Sequence, residues 1–241
     1  MNKLILNFKS KDSKNIKNPK NFLGGKGANL SEMGRMGLPV PPGFTISTKV
    51  CKLFYKDKRK LNNNLVNQIK KELKIIEKDV KKNFGDLKNP LLLSVRSGAR
   101  VSMPGMMDTI LNLGLNDKTV KALALKTSNG RFAKDSYRRF IQMYGNVVMG
   151  VESYHFEELI ENYKLTKGVL LDTDLDESDW DGLIVDFKRT VKEKTKKNFP
   201  QNVFDQLLGA ISAVFLSWES NRAKIYRKLN QIPAEWGTAV N

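Results

Sequence analysis

Phe22-Leu23-Gly24-Gly25-Lys26-Gly27-Ala28-Asn29-Leu30-Ser31-Glu32-Met33 opens on two apolar residues, passes through three glycines set around one lysine, and resumes with Ala28, Leu30 and Met33 at helical spacing. A glycine turn feeding a helix is a place where an anion can rest. Glycines let backbone N–H groups approach oxygens, the lysine supplies a mobile positive charge, and the N-terminal end of a helix adds its own partial charge. Two readings stay open on these residues alone: a turn that holds a phosphate chain, or an ordinary glycine turn with an exposed lysine. The G-x-x-x-x-G-K-[ST] loop is not matched, because Gly27 follows the lysine where that loop needs a magnesium-binding hydroxyl.

Downstream of this turn, Pro39, Pro41 and Pro42 impose an extended segment. Ser47 or Thr48 then caps a helix with Val50, Leu53 and Phe54 on one face. Leu65, Ile69, Leu73, Ile76, Val80 and Phe84 recur every three or four residues, which predicts a helix with one buried stripe and its lysines in water. Leu91-Leu92-Leu93-Ser94-Val95, bounded by Pro90 and by Arg96-Ser97-Gly98, reads as a buried strand that opens into a loop at Arg96. From about Asn116 to Phe199 the periodicity is helical, including Phe140, Ile141, Tyr144 and Val148, then Phe156, Leu159 and Ile160, then Leu183, Ile184 and Phe187. Ser178 with Asp181 reads there as a capping box. Pro200 occupies a first-turn position, and Phe204 through Trp218 to Ile225 and Leu229 predict one long helix.

The totals exclude several classes. With 241 residues, 40% of them hydrophobic, the chain has enough apolar material for a packed core. Cys51 is the single cysteine and His155 the single histidine, so an internal disulfide, a Ser-His-Asp site and a His/Cys metal cluster are all set aside. His155, between Tyr154 and Phe156, reads as a packing or surface residue. Asp172, Asp174, Asp176, Glu177, Asp179 and Asp181 form an acidic run without the glycine of a calcium loop, so no metal ligands are assigned. No apolar run nears twenty residues and the N-terminus is not of signal type, which predicts a cytoplasmic protein with no membrane association. The net charge of +17 is spread over Lys52–Lys60, Lys70–Lys74 and Lys188–Lys197 without a focus. It reads either as a solvated lysine-rich surface or as a polyanion site.

Two further features carry possible chemistry. Arg96, between Ser94 and Ser97 at the end of the predicted strand, can grip phosphate oxygens with both arms of its guanidinium, or pair locally with a carboxylate such as Asp108. Met103-Pro104-Gly105-Met106-Met107 is too apolar for an ordinary exposed loop; it either plugs a core or lies over a flat ligand such as a base.

The opening stretch, running on through Gly37-Leu38-Pro39-Val40-Pro41-Pro42-Gly43-Phe44, resembles the N-terminal signature of dikinases that make or use phosphoenolpyruvate. Leu93 to Ala99 and Met103-Pro104-Gly105-Met106-Met107-Asp108-Thr109-Ile110-Leu111-Asn112-Leu113-Gly114-Leu115-Asn116 resemble the pyruvate, phosphate dikinase version of that family, and Ser136 to Gly145 add a third match in order. The similarity spans the chain apart from about 52–88. It implies an α+β fold: an ATP-grasp-like N-terminal nucleotide-binding portion with an inserted helical subdomain, incomplete at its C-terminus. The expected division is an α/β subdomain over 1–112, a helical subdomain over 113–199, and a long helix returning to the nucleotide-binding domain over 200–241.

In that family ATP phosphorylates a histidine on a swivelling domain, phosphate accepts one phosphoryl group to give pyrophosphate, and the phosphohistidine converts pyruvate to phosphoenolpyruvate in a barrel. Carried onto this chain, the resemblance implies Lys26 and Arg96 as the phosphate-contacting, catalytic cations, and Gly24, Gly25, Gly27, Ser97 and Met103 beside them as ATP-binding residues. Arg138 and Arg139 are candidates for docking the swivelling domain, with pairing to acidic neighbours an equal alternative. No segment resembles the histidine-bearing motif, and the acidic Mg2+ ligands and the pyruvate-binding barrel are expected elsewhere in a longer chain, which acts as a homodimer; this stretch alone is expected not to turn over. The competing readings are a phosphoenolpyruvate synthase or water dikinase, which the Met103 to Asn116 stretch argues against, and a basic nucleic-acid-binding module, which rests on charge alone and lacks any groove-reading motif.

Overall fold

The computed structural model describes residues 4–241; the N-terminus in which no leader was read begins outside the described residues. In chain order the elements are β1 (Ile5–Asn7), α1 (Pro19–Arg35), β2 (Phe44–Ile46), α2 (Thr48–Lys56), α3 (Asn63–Val80), β3 (Asn83–Phe84), β4 (Pro90–Leu91), β5 (Leu93–Ala99) and β6 (Thr109–Leu113). They continue as α4 (Thr119–Thr127), α5 (Gly130–Val147), α6 (Tyr154–Lys167), α7 (Glu177–Thr195), α8 (Val203–Ser217), α9 (Asn221–Leu229) and β7 (Thr238–Val240). The fold is mixed α/β. It divides into two compact units, one made of Met1–Lys81, Val95–Thr109 and Ile211–Asn241, the other of Lys82–Ser94 and Ile110–Ala210.

The first unit is organised by a sheet in which β1, β2, β7 and β5 are neighbours in that order, with β1–β2, β2–β7 and β7–β5 antiparallel. Ile46 stands opposite Val240, and Ser97 opposite the same Val240 from the other side, so β7 lies between β2 and β5. Helix α1 packs on β7 and β2. Its polypeptide is not continuous helix: Gly24 takes φ +70° and ψ 174°, and divides a first turn from a second helical piece that begins with Gly25, Lys26 and Gly27. The stripe Leu65, Ile69, Leu73 and Ile76 is buried along α3, and Asn62 Oδ1 accepts from Leu65 N at 2.9 Å to start that helix. Lys81, in the left-handed region at φ +54°, ends it, so Phe84 belongs to the following strand and not to the stripe.

Two expectations for this unit are corrected. The strand was expected to open into a loop at Arg96, yet β5 continues through Ala99 because Ser97, Gly98 and Ala99 find partners in Val240, Ala239 and Thr238, far downstream. The single long helix expected to Leu229 is two, α8 and α9, broken at Trp218-Glu219-Ser220. Ser220 Oγ accepts from Ala223 N and starts a new helix, while the Trp218 carbonyl is taken by Arg227 Nη1 at 2.5 Å. Trp218, Ala223 and Arg227 are all buried, whereas Ile225 and Leu229, which carried the expected apolar stripe past the break, face solvent.

The second unit holds α4 to α7, the start of α8 and the parallel pair β3 and β4. Its core is aromatic: Phe199 packs edge-on against Tyr137, Phe140 and Tyr144, and Phe156 against Phe187. Helix α7 starts from a capping box two residues earlier than expected. Asp176 Oδ1 accepts from Ser178 N and Asp179 N, and Asp179 Oδ2 accepts from Asp176 N. Asp176 can face both donors because its own backbone is extended, whereas Ser178 is already helical. Pro200 lies ahead of α8, whose first N–H groups, those of Phe204 and Asp205, donate to Asn202 Oδ1.

Candidate functional site

The close approach of α1 to β5 builds the site. A Cβ on Gly24 would overlap the Gly98 carbonyl oxygen, so only glycine lets this turn lie on the strand, and its positive φ makes the same demand. The turn then presents Gly25 and Lys26 to a cavity of about 440 Å3 in the first unit. Ser97, Gly98 and Ala99 of β5 line one side, and Ser102, Met103, Pro104 and Gly105 of the following loop line another. Asn29, one helical turn after Lys26, and Thr109 complete the polar lining.

Arg96 is exposed on β5 and does not itself line this cavity, but it lies close enough to act on Lys26. The Lys26 amine is held below the ordinary lysine range, first by partial burial and then by the positive charge of the Arg96 guanidinium. Two cations that repel each other in this way form a ready electrostatic seat for a polyanion. Among the sequence-derived candidates, Gly25, Lys26, Ser97 and Met103 line the cavity; Gly24 and Gly27 are buried beneath the turn and support it.

The methionine loop is fastened at its base. Asp108 N donates to Ser217 Oγ at 3.3 Å, Arg222 Nε donates to the Met106 carbonyl at 3.2 Å, and Arg222 forms an ion pair with Asp108. The alternative pairing of Arg96 with Asp108 is therefore not what the fold uses. Burial pushes the Asp108 carboxyl up, against the pull of Arg222. Met103 is 6% exposed and lines the cavity, so it packs into the unit and walls the site at once. Asn29, Thr109 and Arg222 escaped the sequence reading; Asn29 alone had a signal, its position three residues after Lys26 on the same helical face.

Arg138 and Arg139 belong to the second unit and differ sharply. Arg138 is 4% exposed, bonded through Nε to Asp135 Oδ1 at 2.8 Å and through Nη2 to Asp172 Oδ2 at 3.0 Å, and stacked 4.5 Å from the Trp180 ring. Its guanidinium is spent inside its own unit. Arg139 is exposed, with Nε 3.0 Å from Asp135 Oδ2, and lines a separate polar cavity with Asn112, Gln142 and Asn146. His155 is half-buried against the Tyr154 ring, and the buried Cys51 thiol is pushed up to about 11 by burial. Among the described residues no group of three or more His, Cys, Asp or Glu is arranged to hold a metal, and no helix is long and apolar enough to cross a membrane.

Comparison with known proteins gives this geometry a family. A family model described as "Pyruvate phosphate dikinase, AMP/ATP-binding domain" matches residues 20–241. The chain is 53% identical over 223 residues to a pyruvate, phosphate dikinase of Clostridium symbiosum, covering 92% of this chain and 26% of that protein. It is 50% identical over 241 residues to the pyruvate, phosphate dikinase of Rhizobium meliloti (strain 1021), covering 100% of this chain and 27% of that one. A chloroplastic pyruvate, phosphate dikinase of Mesembryanthemum crystallinum is 51% identical over 239 residues, 99% of this chain and 25% of the relative. The chain thus spans about a quarter of the length of these curated relatives. With a matching model over nearly its whole length, the chain belongs to the pyruvate phosphate dikinase AMP/ATP-binding domain family.

Proposed function

We propose that this chain supplies one wall of the ATP cleft of a pyruvate, phosphate dikinase, in which ATP, phosphate and pyruvate become AMP, pyrophosphate and phosphoenolpyruvate through a phosphohistidine. The observation that carries the reading is the pair of mutually repelling cations, Lys26 on the glycine turn and Arg96 on β5, beside a cavity walled by the methionine loop. Gly24, Gly25 and Gly27 hold the turn close to the strand, Lys26 and Arg96 neutralise negative charge as it builds on the transferring phosphoryl groups, and Ser97 donates from the strand. Met103 offers a polarisable apolar surface to the base. Electrostatic stabilisation of this kind accounts for most of the catalysis of phosphoryl transfer.

No carboxylate lines the cavity, so these residues do not make a magnesium site, and no step assigned to them runs through the ion. Mg2+ ligands, the phosphohistidine carrier and the pyruvate-binding barrel belong, in this reading, to other parts of a longer protein that folds as an ATP-grasp enzyme with an inserted helical subdomain over 113–199. That protein works as a cytoplasmic homodimer. Exposed Arg139 is the docking candidate for the carrier, since a swivelling domain needs polar, reversible contacts. Titration calorimetry with ATP tests the reading: weak binding that Mg2+ strengthens, abolished by Lys26→Ala or Arg96→Ala, is expected, with no steady-state phosphoenolpyruvate from the 241 residues alone. Unchanged binding in both variants removes these cations from the site.

A further inference from the structure

The sheet places three residues at one level. Ile46 opposite Val240 sets Thr45 beside Asn241, and Ser97 opposite Val240 sets Arg96 on the other side of the same Asn241. The backbone confirms this second pairing in both directions: Arg96 N donates to Asn241 O at 2.8 Å, and Asn241 N donates to Arg96 O at 2.8 Å. Residues directly opposite one another in a sheet share a face, so Thr45, Asn241 and Arg96 project on one side. Thr45 is fully buried, and its Oγ1 donates to Asn241 Oδ1 at 2.7 Å.

Gly27 lies on top of that bonded pair. A Cβ on Gly27 would stand 2.5 Å from Thr45 Oγ1 and 2.8 Å from Asn241 Oδ1, closer than side-chain carbons pack. Helix α1 is therefore lowered onto two polar atoms whose positions are fixed by their own hydrogen bond. The same Asn241 is tied by its backbone to Arg96. One short chain of contacts thus runs from the turn bearing Lys26, through Gly27, Thr45 and Asn241, to the strand bearing Arg96.

We propose that Thr45 and Asn241 are positioning residues, a polar seat that fixes the height of the Lys26 turn over β5 and so the separation of Lys26 from Arg96. The inference rests on the ATP reading for its functional consequence, but its geometric content stands without nucleotide. Thr45→Val keeps the shape and removes the donor; Asn241 Oδ1 then loses its partner beneath the turn and the seat loosens. Thr45→Ser keeps the donor.

The test uses the intact protein and ATP as the probe. Thr45→Val is expected to weaken ATP binding about tenfold, since small displacements of a charged group cost that much or more, whereas Thr45→Ser restores it. Gly27→Ala, which lifts the turn off the seat by a different route, is expected to reproduce the Thr45→Val defect and carries the test if Thr45→Val does not fold. ATP binding unaltered by both Thr45→Val and Gly27→Ala, in a protein where Lys26→Ala destroys it, overturns the proposal. If Lys26→Ala leaves ATP binding unchanged, the ATP reading fails instead, and the seat is judged without nucleotide by the protonation of the Lys26 amine in NMR. A loosened turn moves Lys26 away from Arg96 and raises its pKa; an unmoved pKa in Thr45→Val and Gly27→Ala overturns the seat.

Discussion

Arg96 puts a positive charge where it disfavours the charge of Lys26, and a polyphosphate settling between them reverses that effect. The sign follows directly: Lys26 in this fold has a lowered pKa, bound anion raises it, and binding therefore takes up protons between the two values. ATP affinity is expected to fall as pH climbs from the lowered value of free Lys26 to the raised value of the bound state, and to level off above it. Calorimetry at alkaline pH in two buffers of different ionisation enthalpy checks this, and buffer-independent heats would contradict it. In the longer protein, Lys26→Ala or Arg96→Ala is expected to cost roughly 2–4 kcal/mol of transition-state stabilisation, read from kcat/KM, as for loss of one electrostatic donor. At this scale the sequence was informative about residue type and poor about neighbours. A lysine among glycines announces an anion turn, but the partner of Asp108 proved to be Arg222, separated from it by more than a hundred residues and invisible to local spacing.

Among the elements, α7 offers a clean pH test. The Asp176 carboxyl is depressed to about 2, first by its hydrogen bond with Lys167 and then by the N–H groups it caps. A depressed carboxylate contributes its stability above its ordinary pKa and loses it as pH falls through about 2, so the α7 start is expected to survive mild acid and fray only in strong acid. Amide exchange of Ser178 and Asp179 against pH measures this, and Asp176→Ala is expected to remove the acid step. Helices with a stripe, such as α3, were legible because their burial follows the period of 3.6. The extent of β5 and the division of α8 from α9 were not. A strand's length is decided by its partner, here β7 some 140 residues on, and the helix break is set by the Ser220 cap and by the Arg227 bond to the Trp218 carbonyl, neither of which hydrophobic spacing reports.

For the molecule as a whole, each unit stands on its own buried cluster. Phe187, fully buried in the second unit, is expected to cost about 3–5 kcal/mol on replacement by alanine, measured by denaturant unfolding. The net charge of +17 is carried largely by exposed lysines scattered over both units, and among the described residues they do not gather on one element. Binding to duplex DNA is accordingly expected to be weak at physiological salt; tight binding that collapses steeply with added salt would instead favour the nucleic-acid reading. The family was readable from the sequence because the glycine turn and the methionine loop are long, unusual strings. The composition of the two units was not, because each is assembled from separated stretches of chain.

That β7 inserts between β2 and β5 has a consequence for biosynthesis. As the polypeptide leaves the ribosome, β2 and β5 emerge early yet cannot pair with each other in the native register, because the strand that belongs between them follows β5 by some 140 residues. The aromatic second unit, closed by residue 210, is free to consolidate first. Nascent chains stalled short of Thr238 should therefore expose two open strand edges and recruit chaperones, and addition of β7 should release them.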